Sequence, residues 1–146
     1  ETIKSGSRLR KFRLHVPSRY NPKNATPLLL AFHGTSASAA VLERETSFNP
    51  RADSMDFLEV YPEGLHRGWN IGECCRCSFM KNVDDVRFGL DVIRTLQRFM
   101  NVDSTRIYAT GYSDGGSLAY LLACNHPRVS AAASAVGSTR YDPLPK

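Results

Sequence analysis

A serine between two glycines is the strongest chemical signal in this sequence. Gly111-Tyr-Ser-Asp-Gly115 follows a short apolar segment, Ile107 to Thr110, and precedes helix-forming residues that run to His126. A strand–turn–helix of this kind holds a serine in a strained conformation at its tip and exposes the hydroxyl. The glycines are required because a side chain at either position would press on the neighbouring strand or helix. The pattern predicts a nucleophile at Ser113, although the pentapeptide alone also occurs, less often, as a glycine-rich turn before a helix.

A serine that attacks an ester or amide also needs a base, an acid that orients the base, and N–H donors for the oxyanion. The backbone N–H of Asp114 follows the nucleophile at the start of the predicted helix, where N–H groups are free. A second donor is expected from the loop after the apolar segment Leu28–Phe32. We expect Thr35 to supply it, because Gly34 gives the loop the freedom to come close.

Short apolar strands and helices alternate along the chain. Most strands lack polar alternation, which is typical of strands buried on both faces, so the sequence predicts an α/β fold with a mainly parallel sheet and flanking helices. The clearest helix opens at Asp84-Asp85. Its predicted buried stripe is Val86, Leu90, Ile93, Leu96 and Met100. The predicted strands are Leu9–Val16, Pro27–Phe32, Phe57–Tyr61, Ile107–Thr110 and Ala131–Val136.

Composition is that of a soluble globular domain. The 146 residues are 42% hydrophobic and 23% charged, which favours a single domain over residues 1–146. The longest apolar run, Leu118–Cys124, is too short to cross a membrane. The net charge of +5 is carried by dispersed arginines, with only a loose cluster at Arg8–Arg13. No nucleic-acid module accompanies it, so we expect a solvated basic surface and no nucleic-acid or membrane partner.

Four cysteines suit an oxidising compartment, where disulfides form. Cys74, Cys75 and Cys77 are too closely spaced for the usual chelating pair, and no second pair follows, so no metal site is predicted. The chain opens at Glu1 without a Met or a leader, which fits a processed or excerpted chain.

Five segments occur here in an order that resembles a known family: Ala31–Gly34, Tyr61–Gly64, Trp69–Gly72 with Cys74-Cys75, Val83–Val86 and Gly111–Gly116. Together they resemble the polyhydroxybutyrate depolymerase and feruloyl/acetylxylan esterase group of secreted α/β-hydrolases, from about Leu9 to Gly137. The resemblance implies an α/β-hydrolase fold and extracellular hydrolysis of carboxylic esters without a cofactor, on plant cell-wall esters or polyesters. It also implies that His33 is a structural part of the oxyanion loop.

Three positions depart from that pattern. The family often has Asn at Asp114, and a carboxylate beside a forming oxyanion is unfavourable unless it points away. The family often has Met at Ser117 and Cys at Thr35. The resemblance therefore implies that Cys124 lacks its disulfide partner here.

The predicted base and acid are missing. In this fold the triad runs Ser, then Asp or Glu, then His along the chain. His126 lies too close in sequence to Ser113 to reach it from the other side of the site, and Asp142 is interpreted as a turn residue before Pro143. The sequence thus predicts a domain incomplete at its C-terminus, stopping after the sixth strand of an eight-stranded sheet.

Two other functions are weighed against a serine esterase. A truncated homologue that binds a carbohydrate or an ester without hydrolysing it is the main alternative, and a peptidase is less favoured because the segment Trp69–Cys75 indicates the esterase group. Trp69, the only tryptophan, is predicted to stack on a sugar or phenolic ring of the substrate, with simple packing equally weighted. The expected partner is a small-molecule or polymer ester, and the sequence leaves the oligomeric state open.

Overall fold

The computed structural model describes residues 1–72, 82–126, 129 and 135–136. Their strands form one six-stranded sheet in the order β1-β2-β4-β3-β5-β6. The strands are β1 (Thr2–Ser5), β2 (Arg8–His15), β3 (Thr26–Phe32), β4 (Leu58–Pro62), β5 (Val102–Tyr112) and β6 (Ala135–Val136). The helices are α1 (Ala39–Thr46), α2 (Phe48–Met55), α3 (Asp85–Phe99) and α4 (Asp114–Asn125), with a 3₁₀ turn at Leu65–Arg67.

The sheet is mixed, and its centre is parallel. β1 pairs with β2 and β2 with β4 in antiparallel register, whereas β3 runs parallel to both β4 and β5, and β5 runs parallel to β6. All parallel strands end at one edge of the sheet, so the loops that follow β3 and β5 lie side by side there.

Helices cover both faces of the sheet. Leu28, Leu30 and Phe32 of β3 point into the main core, to which α3 and α4 also contribute. Ala31 points to the opposite face and packs with Tyr61 of β4 and Ala39 of α1. Burial on both faces explains why β3 is continuously apolar, as the sequence predicts.

The buried face of α3 is rotated relative to the predicted stripe. Ile93 and Leu96 are buried as predicted, and Phe88 and Val92 join them. The other predicted residues, Val86, Leu90 and Met100, are only partly buried against the same core. Gly89 explains the rotation. A Cβ built at that position would lie 3.3 Å from the Leu122 side chain of α4, so the glycine marks the closest approach of the two helices.

The basic surface predicted for Arg8–Arg13 does not include Arg10. Its side chain is buried and donates from Nη2 to Asp85 Oδ1 at 2.7 Å, with the guanidinium 4.0 Å from the centre of the Phe88 ring. Asp84 caps α3 as expected from its place at the helix start, accepting from the N–H of Arg87.

The sequence prediction omitted β1 and α2. Cys74, Cys75, Cys77, Asp142 and residues 131–134 of the last predicted strand lie outside the described residues. Cys124 is exposed, with no disulfide in the part of the chain that the structure describes. Among the described helices, none is long and apolar enough to cross a membrane.

Candidate active site

Ser113 is the single residue between the end of β5 and the start of α4. Its backbone has φ 54° and ψ −124°, outside the regions that a residue with a side chain normally occupies. Such a conformation is strained and persists only where the surroundings enforce it. The side chain is partly exposed, and among the described residues the Ser113 hydroxyl makes no hydrogen bond.

Close backbone contacts enforce this turn, and they confirm the predicted need for glycine on either side. A Cβ at Gly111 would lie 2.4 Å from the carbonyl carbon and oxygen of Gly115. A Cβ at Gly115 would lie 2.3 Å from the carbonyl oxygens of Phe32 and His33. The helix start therefore sits directly on the end of β3, which no larger residue would permit.

The loop after β3 lies against Ser113. A Cβ at Gly34 would be 3.4 Å from Ser113 Cβ and 2.9 Å from the Tyr112 ring. Thr35 follows at once and is exposed. Gly34 thus brings the residue expected to donate to the oxyanion next to the elbow.

The two N–H groups expected to hold an oxyanion are uncommitted. Within the described ranges, neither the Thr35 N–H nor the Asp114 N–H donates to another group, although the next amide, that of Ser36, donates to the Arg67 carbonyl at 2.7 Å. The Asp114 N–H also lies at the positive end of α4.

The Asp114 carboxylate is directed into the protein. It is buried, with Oδ1 accepting from the Gly115 N–H at 3.1 Å and Oδ2 from the Trp69 N–H at 3.3 Å. Two backbone donors therefore compensate its charge on the buried side of the turn.

The family model described as esterase PHB depolymerase matches residues 12–140 of this chain. The chain belongs to the PHB depolymerase esterase family.

Curated relatives agree with this family but are much longer. Feruloyl esterase B of Piromyces equi is 30% identical over 129 residues, which cover 86% of this chain and 23% of that protein. Poly(3-hydroxyalkanoate) depolymerase C of Paucimonas lemoignei is 29% identical over 133 residues, covering 87% of this chain and 31% of that protein. The chain thus spans less than a third of the length of these two relatives.

Solved structures show the α/β-hydrolase fold. The acetyl xylan esterase from Aspergillus awamori matches with a TM-score of 0.69 at 13% identity, over 82% of this chain and 44% of that one. An S-formylglutathione hydrolase from Staphylococcus aureus matches with a TM-score of 0.70 at 15% identity, over 90% of this chain and 56% of that one.

His33 has a structural place in this PHB depolymerase family member. The ring is fully buried, and Nε2 lies 2.9 Å from the Gly64 N–H, which can only donate. Nε2 is therefore the acceptor, so Nδ1 carries the proton and donates to the Gly34 carbonyl at 2.8 Å. With both ring nitrogens engaged, His33 shapes the loop and is not free to act as a base.

Trp69 is not at the surface, which corrects its predicted role in stacking on substrate. No part of it is exposed, and its ring packs edge-to-face on Phe32, with centroids 5.3 Å apart. The indole N–H donates to the His33 carbonyl at 2.7 Å. A ring with no exposed face has none to offer a substrate, so packing, the alternative weighted equally from the sequence, describes its position.

A buried carboxylate anchors the segment after Trp69. Asp85 Oδ2 accepts from the Asn70 N–H at 2.7 Å while Oδ1 pairs with Arg10. The Asn70 side chain in turn donates to the Val83 carbonyl at 2.7 Å. Burial raises the pKa of Asp85, and the Arg10 charge and the Asn70 N–H oppose that rise. Sequence analysis missed this cluster, because an acidic residue at a helix start is explained by the helix itself and does not point to a distant partner.

Besides His33, the chain has three histidines, and in the described structure no hydrogen bond joins any of them to Ser113. His15 lies 3.2 Å from Asp53 of α2. His126 follows the far end of α4, and His66 is exposed in the 3₁₀ turn. Within the described ranges, no group of three or more His, Cys, Asp or Glu side chains is placed to hold a metal ion.

A largely apolar cavity of about 340 Å³ adjoins the Gly34-Thr35 loop, which is predicted to hold an oxyanion. It lies between α1, the start of α2 and the end of β5. Its wall includes Gly34, Thr35, Val41, Leu42, Phe48 and Tyr112.

Proposed function

We propose that the protein containing this chain is a serine carboxylic-ester hydrolase that works through an acyl-enzyme on Ser113. The observation that carries the proposal is the strained elbow at Ser113, with the Gly34-Thr35 loop packed against it. Membership of an esterase family supports the same reaction class.

The mechanism uses charge stabilisation by backbone donors. The Ser113 oxygen attacks the ester carbonyl, and the carbonyl oxygen becomes negatively charged. The N–H groups of Thr35 and Asp114 donate hydrogen bonds to that oxygen and stabilise its charge, because they have no other acceptor among the described residues. The ester C–O bond then breaks, and the alcohol leaves with the proton taken from Ser113. Water hydrolyses the acyl-enzyme, which releases the acid and restores the Ser113 hydroxyl. No cofactor is needed for these steps.

A base must take the Ser113 proton, and in the described structure none of the four histidines is hydrogen-bonded to Ser113. The proposal therefore assigns the base to a histidine outside residues 1–146. The greater length of the relatives leaves room for one. Loss of the base from such a site costs orders of magnitude in kcat.

The names of the relatives support a proposal for the substrate class. They are a feruloyl esterase, a poly(3-hydroxyalkanoate) depolymerase and an acetyl xylan esterase. We accordingly propose feruloyl or acetyl esters of plant polysaccharides, or hydroxyalkanoate esters, hydrolysed outside the cell.

The test is ester hydrolysis by the full-length natural protein that contains residues 1–146. Initial rates on p-nitrophenyl acetate, methyl ferulate and a 3-hydroxybutyrate oligomer are compared for the wild type and Ser113→Ala. We expect Ser113→Ala to lower kcat by about 10³-fold or more on whichever ester is cleaved. Ser104→Ala, at an exposed position on β5, is the control and should keep the wild-type rate. Equal rates for Ser113→Ala and the wild type would refute the proposal.

The second candidate is an ester- or carbohydrate-binding protein without catalysis. The apolar cavity beside the oxyanion loop supports it, because a ligand can bind there without a base. Saturable binding of methyl ferulate by a wild-type protein that never cleaves it would favour this candidate.

A further inference from the structure

Trp69 links the two segments that carry the proposed oxyanion donors. Its indole N–H donates to the carbonyl of His33, two residues before Thr35. Its backbone N–H donates to the carboxylate of Asp114, whose own N–H is the other donor. We call these two hydrogen bonds the Trp69 bridge.

Packing alone does not explain this arrangement. The contacts of the indole ring with Phe32 and His33 account for its burial, and a phenyl ring would also supply apolar contact there. The two N–H groups of Trp69 hydrogen-bond the loop and the helix, and each meets an acceptor that belongs to one half of the proposed site. The carbonyl of His33 also lies on Gly115, where a Cβ would come within 2.3 Å of it, so the loop and the helix are in contact at the bridge.

The bridge has a firm support. The next residue, Asn70, is held by Asp85 through its backbone N–H and by the Val83 carbonyl through its side chain, both at 2.7 Å. Asp85 is in turn paired with buried Arg10. Side chains fixed by such surrounding contacts can set the geometry of a site to a fraction of an ångström.

Precise placement matters for this chemistry. Oxyanion donors act at about 2.7–3.1 Å from the developing charge, and a misplacement of about 1 Å can cost on the order of 10²-fold in rate. We propose that Trp69 is a positioning residue of the Ser113 site, which sets the separation of the Thr35 and Asp114 N–H groups without touching the substrate. This inference rests on the proposed ester hydrolysis.

The first test is Trp69→Phe in the full-length natural protein, with kcat and KM measured on p-nitrophenyl acetate. The variant keeps an aromatic ring and loses the indole N–H. We expect kcat to fall by about 10-fold to 100-fold with KM within twofold of the wild type. The effect falls on kcat because the oxyanion forms only in the transition state.

The matched control is Tyr61→Phe on the opposite face of the sheet. It removes one donor from a buried aromatic ring, the hydroxyl that bonds Asn49 Oδ1 at 2.7 Å, and lies outside the proposed site. We expect it to lower the unfolding temperature to a similar extent while leaving kcat unchanged. An equal loss of kcat in both variants would show a merely structural role for Trp69 and would overturn the inference.

A second variant covers the case in which Trp69→Phe does not fold. Benzothienylalanine at position 69 replaces the indole N–H by sulfur and keeps the shape of the ring, so it should reproduce the loss of kcat. Wild-type kcat in that variant, or a raised KM with unchanged kcat, overturns the inference. If the wild type itself shows no Ser113-dependent hydrolysis, the proposed function fails and the positioning role fails with it. If only the positioning role is wrong, the wild type still shows Ser113-dependent hydrolysis, and Trp69→Phe keeps the wild-type kcat.

Discussion

The two faces of the sheet treat buried carboxyl groups differently. On the face covered by α3 and α4, Asp85 is met by Arg10 and the Asn70 N–H, and Asp114 by the Trp69 and Gly115 N–H groups. On the face covered by α1 and α2, Glu59 of β4 is fully buried, and both carboxyl oxygens lack a partner in the described structure. Glu59 lies on that face because side chains alternate along a strand and Tyr61, two residues on, packs against α1.

The paired carboxyl groups of Asp85 and Asp114 hold the proposed site in place, whereas the unpaired carboxyl group of Glu59 weakens the fold. A buried carboxyl with hydrogen-bond donors fixes the backbone that supplies them, as Asp114 and Asp85 do around Trp69. A buried carboxyl without donors takes up a proton instead, and burial raises the pKa of Glu59 to about 9. Glu59 is therefore neutral in the folded protein at pH 7.

Gly115→Ala should give the largest effect, because it attacks the contact on which the elbow depends. The added Cβ would overlap the carbonyl oxygens of Phe32 and His33, both of which belong to backbone that cannot move aside. We expect the free energy of unfolding to fall by about 4 kcal/mol or more, enough to prevent folding of a marginal domain. Urea unfolding followed by circular dichroism measures it.

Gly6→Ala is the control for that substitution. Gly6 has φ +57°, but a Cβ added there would have no atom within 4 Å. The substitution therefore tests backbone strain without steric overlap. A loss of about 1 kcal/mol is expected there. Equal losses in the two variants would show that the elbow contact has no special importance.

Asp85→Asn should have the next largest effect. It leaves the buried Arg10 charge without its counter-charge, and breaking a buried pair in this way costs about 3–5 kcal/mol. Glu45→Gln, in an exposed pair with Arg44, should change the unfolding free energy by less than about 1 kcal/mol. Chemical unfolding of both variants checks the contrast, and a small loss for Asp85→Asn would contradict the anchoring role given to this cluster.

Glu59→Gln should increase stability once the pH rises above about 5. The folded-state pKa of about 9 lies above the usual value of 4.5, so the folded state keeps a proton that the unfolded state releases between these pH values. Wild-type stability from this group is complete below about pH 4.5 and falls as pH rises towards 9, by up to about 1.4 kcal/mol per pH unit. We expect the variant to match the wild type near pH 4 and to exceed it by about 2 kcal/mol at pH 6. Urea unfolding at both pH values measures this, and a constant difference would show that Glu59 does not titrate between them.

Much of the fold was predictable because its signals are local. The glycines at 111 and 115 sit where the elbow needs them, and the apolar run of β3 is buried on both faces. α2 was missed because Phe48-Asn-Pro-Arg-Ala-Asp-Ser-Met is a poor helix-forming sequence, with Pro50 tolerated only because it lies in the first turn.

The rest depended on contacts between distant parts of the chain. Asp85 meets Arg10 from 75 residues away, and nothing in either neighbourhood signals the pair. The buried face of α3 was set by Gly89 against α4, which hydrophobic spacing does not reveal. The sequence does not decide between packing and substrate stacking for Trp69, because it does not show whether a ring is covered.

The most direct test of the central claim is the mass of the protein after reaction with a fluorophosphonate. The full-length natural protein containing residues 1–146 and its Ser113→Ala variant are each incubated with the probe and digested. Mass spectrometry of the peptides then locates the adduct. An activated elbow serine predicts one adduct, on Ser113, in the wild type and none in the variant. An unlabelled wild type, or the same labelling in both proteins, would contradict the assignment of Ser113 as the nucleophile.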